Sequence, residues 1–209
     1  MKGSQMTNLV EMRKNMASRI ANPIVRILSR SRLKPNTLTL IGLVINIGAA
    51  YLIALNHFSL GGVLILVSGL FDLLDGALAR FAKQATKFGA ILDSTVDRVS
   101  EAAILCGLLI WYIPRGAKME ILLIFAVLIG SFLVSYIRAR AEGLGLQCQV
   151  GLFTRAERVI VLAVGLLVSR INFVIPPVVI ALWILLVFVY ITVAQRLFYL
   201  RKQAKIGGG

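Results

Sequence analysis

The run Leu60-Gly-Gly-Val-Leu-Ile-Leu-Val-Ser-Gly-Leu-Phe-Asp72-Leu-Leu-Asp75-Gly76-Ala-Leu-Ala79-Arg80 decides the fold class. A stretch this apolar, with no β-alternation and ending in carboxylates, reads as a membrane-crossing helix whose polar end carries function. Working outward, comparable runs begin near Thr37, Phe88, Met119, Ala156 and Pro177, so the sequence predicts six transmembrane helices. Each needs about 20 residues to cross a hydrocarbon core. Of the 209 residues, 58% are hydrophobic, and the mean hydropathy is +0.87. Strict alternation is absent, which argues against a β-barrel. The expected fold is an all-α membrane protein of one domain, residues 1–209.

Ahead of the first run, residues 1–34 carry Leu9, Met12, Met16, Ile20, Ile24, Ile27 and Leu28 at helical spacing, with basic residues between them. That is the pattern of an amphipathic helix lying in the membrane interface. No secretory signal is visible, and residues 207–209 are all glycine.

The net charge of +14 invites a nucleic-acid reading, and its distribution argues against one. Eight Lys or Arg residues precede the first span, from Lys2 to Lys34, and Arg80, Lys83 and Lys87 lie between spans two and three. Arg138, Arg140, Arg155 and Arg158 follow span four, and Arg196, Arg201, Lys202 and Lys205 follow span six. The intervening loops hold only Arg115, Lys118 and Arg170. The positive-inside rule then places both termini in the cytoplasm, and the basic residues face anionic lipid headgroups. Cys106 and Cys148 lack metal-ligand spacing and are not expected to pair. His57, the sole histidine, sits in a short turn, so a Ser/His or Cys/His catalytic pair is not expected.

Four of the nine acidic residues, Asp72, Asp75, Asp93 and Asp97, lie in or beside two consecutive spans. Carboxylates at membrane depth are costly unless paired, hydrated or bound to a cation. The i,i+3 and i,i+4 spacings place each pair on one face of its helix, and the two faces can meet. Carboxylates without histidine or thiolate suit hard Mg²⁺ or Mn²⁺, and a pair of such ions stabilises charge in phosphoryl displacement. Salt bridges to Arg80 and Arg98, or an ion or metal transport path, are the competing readings. Gly76 and Gly89 would let a backbone or phosphate come close.

These residues carry a resemblance. Asp72, Asp75, Gly76, Ala79, Arg80, Gly89, Asp93 and Asp97 match all eight fixed positions, over 26 residues, of the signature of the CDP-alcohol phosphotransferase family. The resemblance implies a six-helix membrane enzyme, usually a homodimer, with a site open to the cytoplasm. It implies that Asp72, Asp75 and Asp93 hold the metals, and that Asp97 is the base toward the acceptor hydroxyl and also a metal contact. Asp72, Gly76, Ala79 and Arg80 would line the CDP-lipid pocket. Pro35-Asn36-Thr37-Leu38-Thr39 is similar to a further family segment, implying that Asn36 and Thr39 touch the cytidine nucleotide.

The acceptor must be read from the remaining charges. Arg138, Arg158 and Arg196 come from three helix ends and, taken as uncompensated cations, suit a phosphorylated alcohol, since guanidinium forks onto phosphate oxygens; snorkelling to headgroups is the alternative. The stretch Ser135-Tyr-Ile-Arg138-Ala-Arg140-Ala-Glu142, then Arg155-Ala-Glu157-Arg158, then Gln195-Arg196-Leu197, is similar to enzymes of that family that make phosphatidylinositol phosphate and to their archaeal ether-lipid counterparts. Arg138 stands where the actinobacterial members have lysine, and Thr154 where they often have glutamate. The implied reaction transfers a lipid phosphate from CDP-diacylglycerol or CDP-archaeol to inositol 1-phosphate and releases CMP. Glycerol 3-phosphate is the rival acceptor.

Overall fold

A computed structural model describes residues 34–81, 86–148, 150–171 and 174–206. The amphipathic helix expected over residues 1–34 lies outside the described residues apart from Lys34. Six α-helices follow: α1 Pro35–Ala54, α2 Phe58–Phe81, α3 Lys87–Tyr112, α4 Lys118–Gly143, α5 Arg155–Leu167 and α6 Pro177–Ile206. Short 3₁₀ turns at Ile113–Arg115 and Val168–Arg170 extend α3 and α5. No strand occurs among the described residues.

The boundaries have local causes. Pro35 begins α1, where its missing N–H costs nothing, and Asn56 ends the α1–α2 turn in the left-handed region with φ 68°. His57 is exposed in that turn, as expected. Gly116, φ 64°, closes the turn after α3. Thr154 begins α5 through a capping box in which its backbone N–H donates to Glu157 Oε2 at 2.8 Å. This gives a helix-starting role to the position where the sequence departs from its resemblance.

Among the described residues, four helices are long and apolar enough to cross a membrane: α1, α2, α4 and α6 through Ala204. The chain is therefore a membrane protein by the length and composition of its helices. Two of the six expected spans fall short of that standard for different reasons. At 13 residues, α5 rises only about 20 Å, less than a hydrocarbon core of about 30 Å. α3 has 26 residues, but Lys87, Asp93, Asp97 and Arg98 make its first half polar, and Glu101 follows. On α1 the exposed apolar residues Leu40, Val44, Ile47 and Tyr51 recur every three or four positions, the stripe expected of a lipid-facing surface.

The described residues fall into two compact units. The first comprises residues up to 45 and 67–97, and its small core joins Leu38 to Leu78 with Phe71, Leu74 and Ala77. The second comprises residues 46–66 and 98 onward. Its core gathers Ile53, Ile65, Leu105, Leu108, Ile124, Leu166, Leu182 and Leu185, and α6 packs against both α4 and α5. Helix contact here depends on close approach. A Cβ on Gly107 would stand 2.5 Å from the carbonyl oxygen of Ala50, so only glycine fits.

Candidate functional site

Within the first unit, α1 and α2 are joined at their polar ends by one short bond. Thr39 Oγ1 donates to Asp75 Oδ2 at 2.6 Å, and both residues are buried, at 4% and 5% exposure. Thr39, expected at the nucleotide, has this partner within the protein, and its hydroxyl orients a carboxylate. Ser68 Oγ donates to the carbonyl of Gly42 at 3.0 Å. A Cβ at Gly42 would come within 3.2 Å of Asp72 Oδ1, so the small residue keeps α1 clear of that carboxylate. Neither Gly42 nor Ser68 stood out in the sequence, because neither belongs to a motif.

Asn36, half-buried in the first turn of α1, lies beside the start of α3. A Cβ on Gly89 would meet its Oδ1 at 3.2 Å and Thr86 Oγ1 at 3.0 Å. Thr86 Oγ1 also accepts the Gly89 N–H at 2.9 Å. Gly89 therefore brings the α3 backbone close to Asn36. Gly76 is different, since a Cβ there would meet only the flexible end of Arg80. Ala79 is half-buried and Arg80 exposed in the last turn of α2.

Asp72, Asp93 and Asp97 are half-buried, and Asp72 and Asp93 both act electrostatically on Asp75. Asp72, Asp75 and Asp93 are therefore neighbours. Among the described residues, however, no three His, Cys, Asp or Glu side chains are drawn close enough to hold a metal ion. Like charges repel, and Asp75 is turned toward Thr39. The donor chemistry still fits a hard divalent cation: all four candidate ligands are carboxylates, and one is already oriented by a hydroxyl behind it.

The second unit holds the three arginines, and Arg138 and Arg158 both act electrostatically on Arg196, so the three share one neighbourhood. They are not the uncompensated cations that the sequence suggested. Arg158, only 4% exposed in its side chain, donates from Nε to Glu101 Oε1 at 2.7 Å and from Nη2 to Glu101 Oε2 at 2.9 Å. Arg196 donates from Nε to the carbonyl of Val150 at 2.9 Å and from Nη1 to the carbonyl of Val134. Arg138 pairs with Glu142 one turn along α4 at 2.9 Å, with both side chains more than half exposed. Burial explains the difference. A guanidinium removed from water must find acceptors, whereas an exposed one need not.

Glu101, the buried partner of Arg158, is the residue of this cluster that sequence reasoning missed. Its signal was present, because it extends the series Asp93, Asp97 by another i+4 step. Cys106 is exposed, Cys148 is buried, and both are free thiols.

Comparison with known proteins places the chain among relatives of one family. Residues 32–203 match the sequence profile of the CDP-alcohol phosphatidyltransferases. The phosphatidylinositol phosphate synthase of Mycobacterium tuberculosis H37Rv is 40% identical over 185 residues, covering 86% of this chain and 85% of that protein. Its crystal structure with CDP-DAG bound superposes with a TM-score of 0.77 at 38% identity, over 86% of this chain and 92% of that one. Its complex with manganese and citrate gives a TM-score of 0.76 at 37% identity, over 85% and 87%. The archaetidylinositol phosphate synthase of Pyrococcus horikoshii is 35% identical over 193 residues, covering 90% of this chain and 96% of that protein.

Proposed function

This chain belongs to the CDP-alcohol phosphatidyltransferase family, and we propose that it transfers the lipid phosphate of a CDP-lipid to inositol 1-phosphate, releasing CMP. The neighbourhood shared by Arg138, Arg158 and Arg196 carries this reading. A cluster of guanidinium groups suits an acceptor that already bears a phosphate, and relatives in both lipid chemistries are named for an inositol phosphate product.

In the proposed mechanism Asp97 accepts the proton of the acceptor hydroxyl as its oxygen attacks the lipid-bearing phosphorus. The bond from that phosphorus to the bridging oxygen breaks, and CMP leaves with the electron pair. Asp72, Asp75 and Asp93, with Asp97 as a further contact, would hold Mg²⁺ or Mn²⁺, which neutralises charge developing on the phosphate oxygens. Thr39 keeps Asp75 oriented for that task. Asn36, Asp72, Gly76, Ala79 and Arg80 bind the CDP portion of CDP-diacylglycerol or CDP-archaeol, and Arg138, Arg158 and Arg196 bind the acceptor phosphate. We further read the chain as one catalytic domain with all six helices crossing the cell membrane, both termini and the site on the cytoplasmic side, working as a homodimer.

CMP release is measured with CDP-diacylglycerol and, in turn, inositol 1-phosphate, glycerol 3-phosphate and free inositol. Turnover should require the acceptor phosphate and favour inositol 1-phosphate. Preference for glycerol 3-phosphate would reassign the acceptor, and equal use of free inositol would remove the arginines' proposed role.

A further inference from the structure

Glu101 is a largely buried carboxylate, 12% exposed in its side chain, for which the proposed reaction has no use. It lies on α3 and engages Arg158 of α5 edge-on, one oxygen to Nε and the other to Nη2, at 2.7 and 2.9 Å. A guanidinium has five N–H donors in a rigid plane. This pairing occupies one edge and leaves the opposite edge, with both N–H groups of Nη1 and one of Nη2, facing away from the carboxylate. No described residue accepts from Nη1.

The three arginines are consequently held to different degrees. Arg196 is fixed by two backbone carbonyls. Arg138 is held only by an exposed pair on its own helix, of the kind that contributes little. Of the three, Arg158 is the one fixed by a largely buried charge. A buried ion pair is a poor source of net stability, because well-packed apolar residues can replace it without loss. Its value lies in orientation: the carboxylate fixes the guanidinium plane and keeps a buried cation compatible with two neighbouring arginines before an anion arrives.

We propose that Glu101 is a positioning residue that aims the free edge of Arg158 at the acceptor phosphate, and so sets the preference for a phosphorylated over an unphosphorylated polyol. This rests on the reading of Arg158 as an acceptor-phosphate contact. Glu101 itself touches neither substrate. Its removal should therefore weaken acceptor recognition while leaving the CDP-lipid half of the reaction intact.

The test compares the purified full chain with Glu101→Gln, Glu101→Asp, Arg158→Gln and the double variant Glu101→Gln/Arg158→Gln, each confirmed as folded by size-exclusion chromatography. Kinetics are measured separately against inositol 1-phosphate and CDP-diacylglycerol. Glu101→Gln should raise the inositol 1-phosphate KM by roughly ten- to a hundredfold, with far smaller changes in kcat and in the CDP-lipid KM. Glu101→Asp, which keeps the charge, should recover much of the loss. The double variant should recognise the acceptor no worse than Arg158→Gln alone, since both changes disable the same contact.

Equal losses toward both substrates in Glu101→Gln, or additive losses in the double variant, would overturn the inference. Should Glu101→Gln not fold, Glu101→Asp decides: a raised acceptor KM with the CDP-lipid KM unmoved supports the inference, and parallel changes in both reject it. If the parent uses free inositol as well as inositol 1-phosphate, the acceptor reading itself fails. If the parent demands the phosphate and Arg158→Gln raises the acceptor KM while Glu101→Gln does not, only the role of Glu101 is lost.

Discussion

Replacing Thr39 with valine keeps the branched shape of the side chain and deletes the hydroxyl that donates to Asp75 Oδ2 at 2.6 Å. Both partners are buried, so water cannot readily substitute for the lost donor. A hydrogen bond to a charged group contributes about 1.5–3 kcal/mol, and each 1.4 kcal/mol is a factor of ten. The held orientation of Asp75 should therefore become roughly ten- to a hundredfold less favoured. If that orientation serves a cation, Thr39→Val should lower kcat by up to that factor and raise the Mg²⁺ or Mn²⁺ concentration needed for half-maximal CMP release. The CDP-lipid KM should scarcely move, and Thr39→Ser should restore activity because it returns the hydroxyl. The opposite result, a raised CDP-lipid KM with kcat and the metal titration unchanged, would show that Thr39 contacts the nucleotide and that its bond to Asp75 is incidental.

Chelation should abolish CMP release, and either Mg²⁺ or Mn²⁺ should restore it. Asp97→Asn should lower the rate by about 10²–10⁴-fold while CDP-lipid and metal binding persist, as expected for a general base; loss of metal binding would make Asp97 chiefly a ligand. Gly107→Ala should lower the melting temperature in detergent, because its Cβ would meet the Ala50 carbonyl at 2.5 Å and a backbone atom cannot swing aside. Overpacking of this kind costs about 1–3 kcal/mol, and an unchanged melting curve would refute so close a contact.

Local chemistry made the helices legible. Runs expected to begin at Thr37, Leu60, Phe88, Met119, Ala156 and Pro177 begin within two residues of those positions, because Pro35, the left-handed Asn56, Gly116 and the Thr154 cap are short-range signals. Hydropathy was less informative about span length. A span of about 20 residues from Ala156 would run well past Leu167, where α5 passes into a 3₁₀ turn. The aspartates were legible from their spacing. The Thr39–Asp75 bond was not, since its partners are 36 residues apart and meet only through the packing of α1 on α2. The same limit hid Glu101, 57 residues from Arg158. Counting cations along the chain could not reveal which were already neutralised. The cost of burying charge gives the missing rule: an arginine expected inside a membrane protein implies acceptors somewhere in the same fold.

That rule also separates the arginines as experimental probes. Arg196 binds the Val150 carbonyl, while its helix neighbours Thr192 and Gln195 accept the N–H groups of Phe153 and Leu152 at 3.2 Å each. Gly151, φ 141°, allows this close seating, since a Cβ there would lie 2.8 Å from Thr192 Cγ2. One turn of α6 thus fixes the segment that delivers Thr154, the cap that begins α5 and sets Arg158 four residues later. Removing Arg196 would take the guanidinium donor from the Val150 carbonyl and loosen the approach to Arg158. Removing Arg158 would strand a buried carboxylate, a change that costs about 3–5 kcal/mol. A lost activity in either variant therefore mixes binding with structure. Arg138 has only the exposed Glu142 as a hydrogen-bonded or ion-pair partner among the described residues, so its substitution is the one that reports on the acceptor phosphate with least disturbance to the fold.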